Sequence, residues 1–524
     1  MEVALTPLEF ARRTRRLYPH HEAVVDGPLR VTYEQFFDRC DRWSAVLQRF
    51  GIESGARVAY IAPNTHAMLE SFYAVPQIGA VVVPINYRLT ADDFRYIINH
   101  SGSKIVCAHS DYLETVDHVR DELPSVTHYV ALEGPASDGW LAYEALLAAA
   151  KPAFVPALVD ERDLIAINYT SGTTANPKGV MITHRNAYLN VVGTLLHLPM
   201  RMNDRYLWTL PMFHANGWTF VWTVTAVGAA HICLRKVDPV RMFELMDVES
   251  VSMLCAAPTV LIGIANAPPA IRVRAPKGVR VVTAGAAPAA ATIERVEDEL
   301  GWTITHVYGM TETAPFITVC EPRPEHSEKT PGERAVIKAR QGVELITSGD
   351  LRVVDESGCE VPHDGRTLGE IVVRGNVVMR GYYNDPEATA KAIRDGWMHT
   401  GDAAVVHPDG YAEVRDRIKD IIISGGENIS SVEVEGVLLR HPAVQEVAVV
   451  GMPDPQWGEA PHAFVVLKAG AVAAEAELRA FARERLAHFK APHTVTFVLE
   501  LPKTATGKIQ KFVLRGGRAA IARQ

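Results

Sequence analysis

An α/β protein of at least two domains is what this chain predicts, on three observations. Short apolar runs of strand length alternate with helical stretches over roughly residues 57–310, the rhythm of largely parallel sheets covered on both faces. From about residue 350 the texture changes to short strands joined by turns such as Glu356-Ser357-Gly358 and Pro408-Asp409-Gly410. The chain's 524 residues exceed what a single hydrophobic core organises. The expected layout is a large N-terminal domain of layered α/β sheets plus a β subdomain, residues 1–416, followed by a small α+β C-terminal domain, residues 417–524.

Residues 8–50 read as helical with one short extended piece at 30–33. The run 57–62 is a buried-type strand closed by Pro63-Asn64, 68–78 is a helix and 80–84 is the next strand. Thr90 with Asp93 makes a capping box, and Phe94, Ile97 and Ile98 fall on the inner face of the helix it opens. Residues 105–108 and 164–169 are strands again. The runs 206–211, 253–256 and 279–284 each feed a loop and then a helix. Further on, 351–355, 369–374, 403–407 and 411–415 are short strands. The charged pentapeptide Asp416-Arg417-Ile418-Lys419-Asp420 marks the boundary. Beyond it come 421–423, a Ser-Gly-Gly loop, a helix opening after Ser431, and strands at 444–451 and 463–467, a domain of about 100 residues.

Composition excludes several classes. A net charge of −8 lacks the basic footprint of a nucleic-acid binder. Cys40, Cys107, Cys233, Cys255, Cys320 and Cys359 are scattered with no C-x-x-C pair, which predicts reduced, mostly buried thiols in a cytoplasmic setting rather than a disulfide frame or metal site. No apolar segment follows the N-terminal arginines as a signal peptide requires, and the apolar stretch 219–234, broken by Thr223, Thr225 and His231, is too short to span a bilayer.

The chemistry is concentrated in four places. Residues 169–180, Tyr-Thr-Ser-Gly-Thr-Thr-Ala-Asn-Pro-Lys-Gly-Val, follow a strand with a cluster of hydroxyls (Thr170, Ser171, Thr173, Thr174). Gly172 and Gly179 are expected to let the backbone turn and present its N–H groups, and Lys178 adds a positive charge. Such a loop suits polyphosphate oxygens, although the same composition serves a flexible surface loop. It is not a Walker A sequence, since no Gly-Lys-Ser/Thr follows a four-residue spacer. Tyr308-Gly309-Met310-Thr311-Glu312 delivers an aromatic face, a hydroxyl and a carboxylate after a strand at 303–307. Thr400-Gly401-Asp402 sets a carboxylate ahead of a hairpin, and Pro502-Lys503-Thr504-Ala505-Thr506-Gly507-Lys508 carries a lysine on a loop freed by glycine. Taken singly, each also reads as ordinary structure: a buried tyrosine, an Asp turn, a surface lysine.

In this order the four segments resemble those of the AMP-forming adenylate-forming enzymes: acyl-CoA synthetases, firefly-type luciferases and peptide-synthetase adenylation domains. The resemblance runs from 57–64 to 508–510, and the stretches 339–343, 421–431 and 457–459 look like short- and medium-chain acyl-CoA synthetases in particular. It implies that Thr170, Ser171, Gly172, Thr173, Thr174 and Lys178 hold ATP phosphates, and that Gly285, Ala286, Ala287 and Pro288 line the nucleotide site and form one wall of the acyl pocket. It sets Tyr308 against adenine with Gly309 beside it in the nucleotide site, Thr311 on the α-phosphate, Glu312 on Mg2+, and Asp402 and Arg417 on the ribose or phosphate. Lys419 becomes the hinge of a mobile C-terminal lid, Lys508 the cation between substrate carboxylate and α-phosphate, and Gly425, Gly426 and Glu427 the lining of a coenzyme A tunnel.

The resemblance therefore implies an ATP-, Mg2+- and coenzyme A-dependent ligase that makes an acyl-AMP, releases pyrophosphate and transfers the acyl group to coenzyme A. Met212-Phe213-His214-Ala215-Asn216-Gly217-Trp218 speaks to the acid. Amino-acid-activating relatives carry Asp where His214 stands, so a free α-amino acid is not expected. His214, Trp218, Gly285 and Gly309 outline the acyl pocket, a short- to medium-chain fatty acid being favoured and an aryl acid such as benzoate the alternative. An acyl-AMP ligase serving a carrier protein or amine is a further alternative, and a homodimer is left open.

Overall fold

The computed structural model describes residues 2–134, 137–170, 176–503 and 509–516. The chain divides into two compact units, one of Met1–Leu351 with Val373–Met398 and the other of Arg352–Val372 with His399–Gln524.

Two sheets build the first unit. In one, Leu164–Thr170, Val81–Ile85, Arg57–Ile61, Ile105–Ala108, His128–Ala131 and Leu141–Ala142 lie side by side in parallel, and Lys178–Thr183 and Gly381–Tyr382 extend it antiparallel. In the other, Thr303–Gly309, Arg280–Thr283, Met253–Ala256, Arg205–Leu207, Ala230–Ile232 and Glu22–Asp26 are parallel, with antiparallel strands on both margins. Helices cover these strands, which is why Val81 to Ile85 is buried at every position instead of alternating. The Thr90–Asp93 capping box forms as expected, Asp93 Oδ2 accepting the Thr90 N–H at 3.0 Å and Thr90 Oγ1 the Asp93 N–H at 3.3 Å.

Three local readings change. Residues 8–50 are not helical around a single extended piece. Glu22–Asp26 is also a strand, hidden in the sequence because Val24 and Val25 are flanked by helical pattern, and it turns at Gly27 (φ 60°) into Leu29–Thr32. The helix expected at 68–78 spans His66–Ala74, where Pro76 cannot continue the ladder and a 3₁₀ turn finishes the segment. The strand expected at 206–211 stops at Leu207, because the Asn64 amide takes the carbonyls of Trp208 and Leu210 away from any sheet partner.

One five-strand sheet of the second unit orders Glu427–Ile429, Ile422–Ser424, Gly458–Leu467 and Val444–Asp454, with Thr494–Phe497 parallel to Gly458–Leu467. Its two faces follow the strand period of two. Val447 and Val449 pack on the helices Ser431–Leu438 and Glu475–Arg483, while Ala448 and Val450 face Leu501 and Leu514 of the C-terminal segment. The Ser431–Leu438 helix is capped by Ser430, one residue before the position read from sequence.

A charge network runs through the first unit. Fully buried Glu70 pairs with Arg39 (2.5 Å) and accepts the Tyr143 hydroxyl (2.5 Å), and Arg39 also reaches Glu144. Glu144 meets His66 Nε2 at 3.3 Å, and His66 Nδ1 lies 2.8 Å from Asp26. Burial opposes charge on His66, but Asp26 and Glu144 more than offset it and push its pKa up to about 10. Against its own burial, Glu144 is drawn down to about 2 by His66 and Arg39. The His66 contribution is therefore complete below its unfolded value of about 6.5 and lost as pH rises toward 10, while that of Glu144 is lost as pH falls from about 4.5 toward 2. Melting temperature is expected to fall between pH 7 and pH 10. His66→Gln is expected to flatten that decline, measured by differential scanning fluorimetry across the range.

Candidate active site

Parallel strands deliver their following loops to one edge, outside the carboxyl ends. In the second sheet, Arg280–Thr283 leads into Gly285-Ala286-Ala287-Pro288, its neighbour Thr303–Gly309 ends in Tyr308-Gly309, and Arg205–Leu207 leads to His214 and Trp218. In the first sheet, Leu164–Thr170 ends at the hydroxyl-rich loop and the chain returns as Lys178–Thr183, with Thr170 opposite Lys178. Ser171, Gly172, Thr173 and Thr174 of that loop lie outside the described residues, as does Lys508. Gly179 does not make the turn. It sits within the returning strand, opposite Tyr169, where a Cβ would come within 2.9 Å of Ile167 and 3.1 Å of the Tyr169 ring.

A row of contacts joins the strand Lys178–Thr183 to the Tyr-Gly-Met-Thr-Glu segment. Lys178 Nζ lies 4.9 Å from the Tyr382 ring centroid, and the Tyr382 hydroxyl donates to Glu312 Oε1 at 2.8 Å. Tyr382 carried no sequence signal. It arrives because Gly381–Tyr382 pairs antiparallel with Val180 and Met181. Thr311 and Glu312 are buried in a 3₁₀ turn, and the Glu312 carbonyl accepts the Met379 N–H. Gly309 is compelled by packing, since a Cβ there would stand 1.9 Å from the Pro315 carbonyl oxygen.

Buried asparagine amides hold the loops around this row. Asn168 donates to Phe213 O (3.4 Å) and Asn216 Oδ1 (3.0 Å), and Asn64 Oδ1 accepts the Met212 N–H (2.8 Å). Asn190 donates to Thr313 O and Phe316 O, and Asn186 to Asn376 O and Val378 O. The first pair fixes the chain around His214, which is half-buried at the entry to Ala215–Trp218. Residues 215–219 then run at φ between 45° and 66°, a left-handed turn unusual for Ala, Trp and Thr. Gly217 packs under Trp208, and Trp218 sits edge-on to Phe316 with centroids 5.8 Å apart. Gly285, Ala286 and Ala287 are exposed, and Pro288 is buried.

The second unit holds the other predicted residues. Asp402 and Arg417 face each other across a β-hairpin with a 2.8 Å ion pair, and Arg417 also donates to Thr400 O. Gly401 (φ 71°) permits the kink that sends its N–H to Glu370. Lys419 lies in the 3₁₀ turn Ile418–Asp420. Burial, then Arg417 and Arg515, hold its ammonium below the usual lysine range against the pull of Asp420. Gly425 and Gly426 (φ 59° and 86°) form a two-residue hairpin turn between Ser424 and Glu427, a geometry that itself calls for glycine.

A cavity of about 650 Å³ in the first unit was not anticipated. Tyr87, Arg88, His109, Tyr112, Arg235 and Lys236 line it. Asp26, His66 and Glu133 converge beside it in the manner of a metal site. The Arg235 guanidinium already bridges Asp26 (3.2 Å) and Glu133 (2.6 Å), which makes the local cation an arginine.

Residues 11–383 match the AMP-binding enzyme family and residues 433–508 its C-terminal domain, the AMP-binding enzyme C-terminal domain. The chain is 43% identical over 99% of its length to a 4-hydroxybutyrate–CoA ligase of Metallosphaera sedula, covering 95% of that protein. It is 39% identical over its full length to a peroxisomal butyrate–CoA ligase of Arabidopsis thaliana, again covering 95%. Among solved structures, the anthranilate CoA ligase AuaEII in complex with anthranoyl-AMP aligns at a TM-score of 0.89 and 25% identity, over 98% of both chains.

Gly309→Ala is expected to cost more than about 4 kcal/mol, since backbone must shift. Gly285→Ala, with nothing within 4 Å but φ at +92°, is expected to cost about 1 kcal/mol. Denaturant midpoints of the two variants measure the difference.

Proposed function

Since the chain belongs to the AMP-binding enzyme family, we propose that it is an ATP-dependent acid–CoA ligase, which converts a carboxylate to an acyl-AMP with release of pyrophosphate and then passes the acyl group to coenzyme A. The observation that carries this reading is the row Lys178–Tyr382–Glu312, a cation and a buried carboxylate disposed on either side of one tyrosine at the end of the phosphate-loop strand.

A carboxylate is a poor acyl donor because oxide leaves badly. Joining it to AMP replaces oxide with a phosphate ester. The substrate carboxylate attacks the α-phosphorus in line, and the protein's contribution is positioning and charge stabilisation. Thr170, Ser171, Gly172, Thr173, Thr174 and Lys178 hold the polyphosphate in this reading, Tyr308 and Gly309 face the adenine, and Thr311 bonds the α-phosphate. Asp402 and Arg417 take the ribose. Glu312 fits a hard divalent cation such as Mg2+, because it offers a buried carboxylate whose partner is a phenol hydroxyl rather than a cationic side chain. Bound there, the ion would offset phosphate repulsion. Lys508 sets an ammonium between the two anions, worth on the order of 4 kcal/mol at about 4 Å in an intermediate dielectric. Turning at Lys419, the C-terminal domain then withdraws Lys508 and presents Gly425, Gly426 and Glu427 to the pantetheine arm.

His214, Trp218, Gly285 and Gly309 wall the acyl pocket. A short- to medium-chain acid is favoured, supported by relatives named for 4-hydroxybutyrate and butyrate. An aryl acid is the second reading, favoured by the likeness to a structure holding anthranoyl-AMP. The 650 Å³ cavity suits the nucleotide end of coenzyme A, with Arg88 and Lys236 for phosphate and Tyr87 and Tyr112 for adenine. Among the described residues no helix is long and apolar enough to cross a membrane. Five of the six cysteines are buried and all are free thiols, which supports a cytoplasmic setting.

A pyrophosphate-release screen over aliphatic and aryl acids, with and without coenzyme A, tests the reaction. No release over the whole panel refutes it. Lys508→Ala is expected to lower adenylation roughly 10²–10³-fold, by analogy with loss of one oxyanion donor, and to leave thioester formation from supplied acyl-AMP largely intact. Replacing Arg88 and Lys236 together by Met is expected to raise the KM for coenzyme A about tenfold or more while leaving coenzyme A-independent pyrophosphate release unchanged, in initial-rate kinetics.

A further inference from the structure

We propose that Arg515 and Lys511, on the last described helix, are positioning residues that clasp the turn around Lys419 and couple its setting to the segment carrying Lys508. The inference rests on the reading of Lys419 as hinge and Lys508 as the adenylation cation.

The clasp has a part on each side of the turn. Ile418–Asp420 is a 3₁₀ turn closed by the Ile421 N–H on Arg417 O at 3.1 Å. Arg515 Nη1 lies 2.8 Å from Asp420 Oδ1 and donates to the carbonyl of Lys419 itself at 3.1 Å. Upstream, the Asp416 carboxylate accepts both the N–H (2.7 Å) and the hydroxyl (2.5 Å) of Ser431, and Ser430 Oγ donates to Arg415 O at 2.6 Å. Lys511 completes this side, donating to Ser431 Oγ and pairing with Glu435 at 2.8 Å, while Glu435 also accepts the Val449 N–H. Residues 415–416 precede the turn and residues 430–435 follow it, so the bonds span the hinge.

These bonds belong to a single setting. Rotation about Lys419 swings its carbonyl off Arg515 and draws Ser430 and Ser431 away from Arg415 and Asp416. Burial opposes charge on Lys511, yet Glu435 and Asp416 together raise its pKa, so the ammonium that ties the network stays charged.

The same short helix anchors the Lys508 segment. Leu514 is buried against Ala448 and Val450. The base of the segment is closed by the Gln510 N–H on Pro502 O (2.8 Å), by the Lys503–Ile509 bridge and by the Lys503–Glu446 ion pair (2.7 Å). A change at the turn therefore reaches residues 502–503 and 509–510, which bracket Lys508 in the sequence.

The test is the ratio of the two half-reactions. Wild type and Arg515→Gln are compared for pyrophosphate release without coenzyme A and for thioester formation from supplied acyl-AMP. The ratio is expected to shift about fivefold, the size of one partly exposed ion pair and a charge-assisted hydrogen bond, with Arg515→Lys restoring it. Lys511→Met combined with Glu435→Gln, which removes both charges of the pair, is expected to shift the ratio in the same direction. An unchanged ratio overturns the proposal, whether both rates fall together or neither moves. If the wild type is silent in both half-reactions, the ligase reading itself fails. The clasp is then read by trypsin, which is expected to cut after Lys419 faster in Arg515→Gln, equal rates overturning it.

Discussion

The constraint on which the candidate site depends is that it lies where the sheets stop. A strand interior is held by its ladder, but a loop beyond the carboxyl ends leaves donors and acceptors that must be satisfied without one. Here buried asparagine amides meet the need. Asn64 and Asn168 grip the 208–216 segment, Asn190 grips 313–316 and Asn186 grips 376–378. Each ties the chain near a predicted site residue to a strand end or to a helix packed on the sheet. An amide offers donors and an acceptor on one short, uncharged side chain, so it can cross-link backbone without the desolvation penalty of a buried charge.

The same restraint carries the strain at 215–219. A left-handed run of this length costs on the order of 1 kcal/mol for each residue bearing a Cβ, and it persists only if the surroundings over-determine it. Asn168 on Asn216, Trp218 against Phe316 and the Trp208 ring over Gly217 do so from three sides. The outcome is a half-buried His214 and a buried Trp218 fixed at one edge of the sheet. An ordinary helical start would have pointed them differently.

How much of this was legible follows from what each feature leaves in a sequence. Buried parallel strands such as Val81–Ile85 write continuous apolar runs, and capping boxes write a fixed spacing, so both could be read directly. Glu22–Asp26 was missed because a short strand between helices has no periodicity of its own. The asparagines, Tyr382 and Arg515 leave no pattern at all, their meaning residing in partners far along the chain. Gly179 and Gly309 look alike in sequence, as permissive residues beside a motif. Both prove to be forced by a neighbouring atom rather than by turning.

Partner chemistry also separates the two carboxylates of the site motifs. Among the described residues, the buried Glu312 carboxylate accepts from a phenol hydroxyl and has no ion-pair partner. Asp402 is also buried, but a guanidinium lies 2.8 Å away and cancels most of its field. A carboxylate with no cation beside it favours a metal ion over a hydroxyl. A neutralised one retains lone pairs for hydroxyl donors without drawing a cation or repelling a phosphate strongly. This difference in partners supports, independently of resemblance, the proposal that Glu312 takes the metal and Asp402 the ribose.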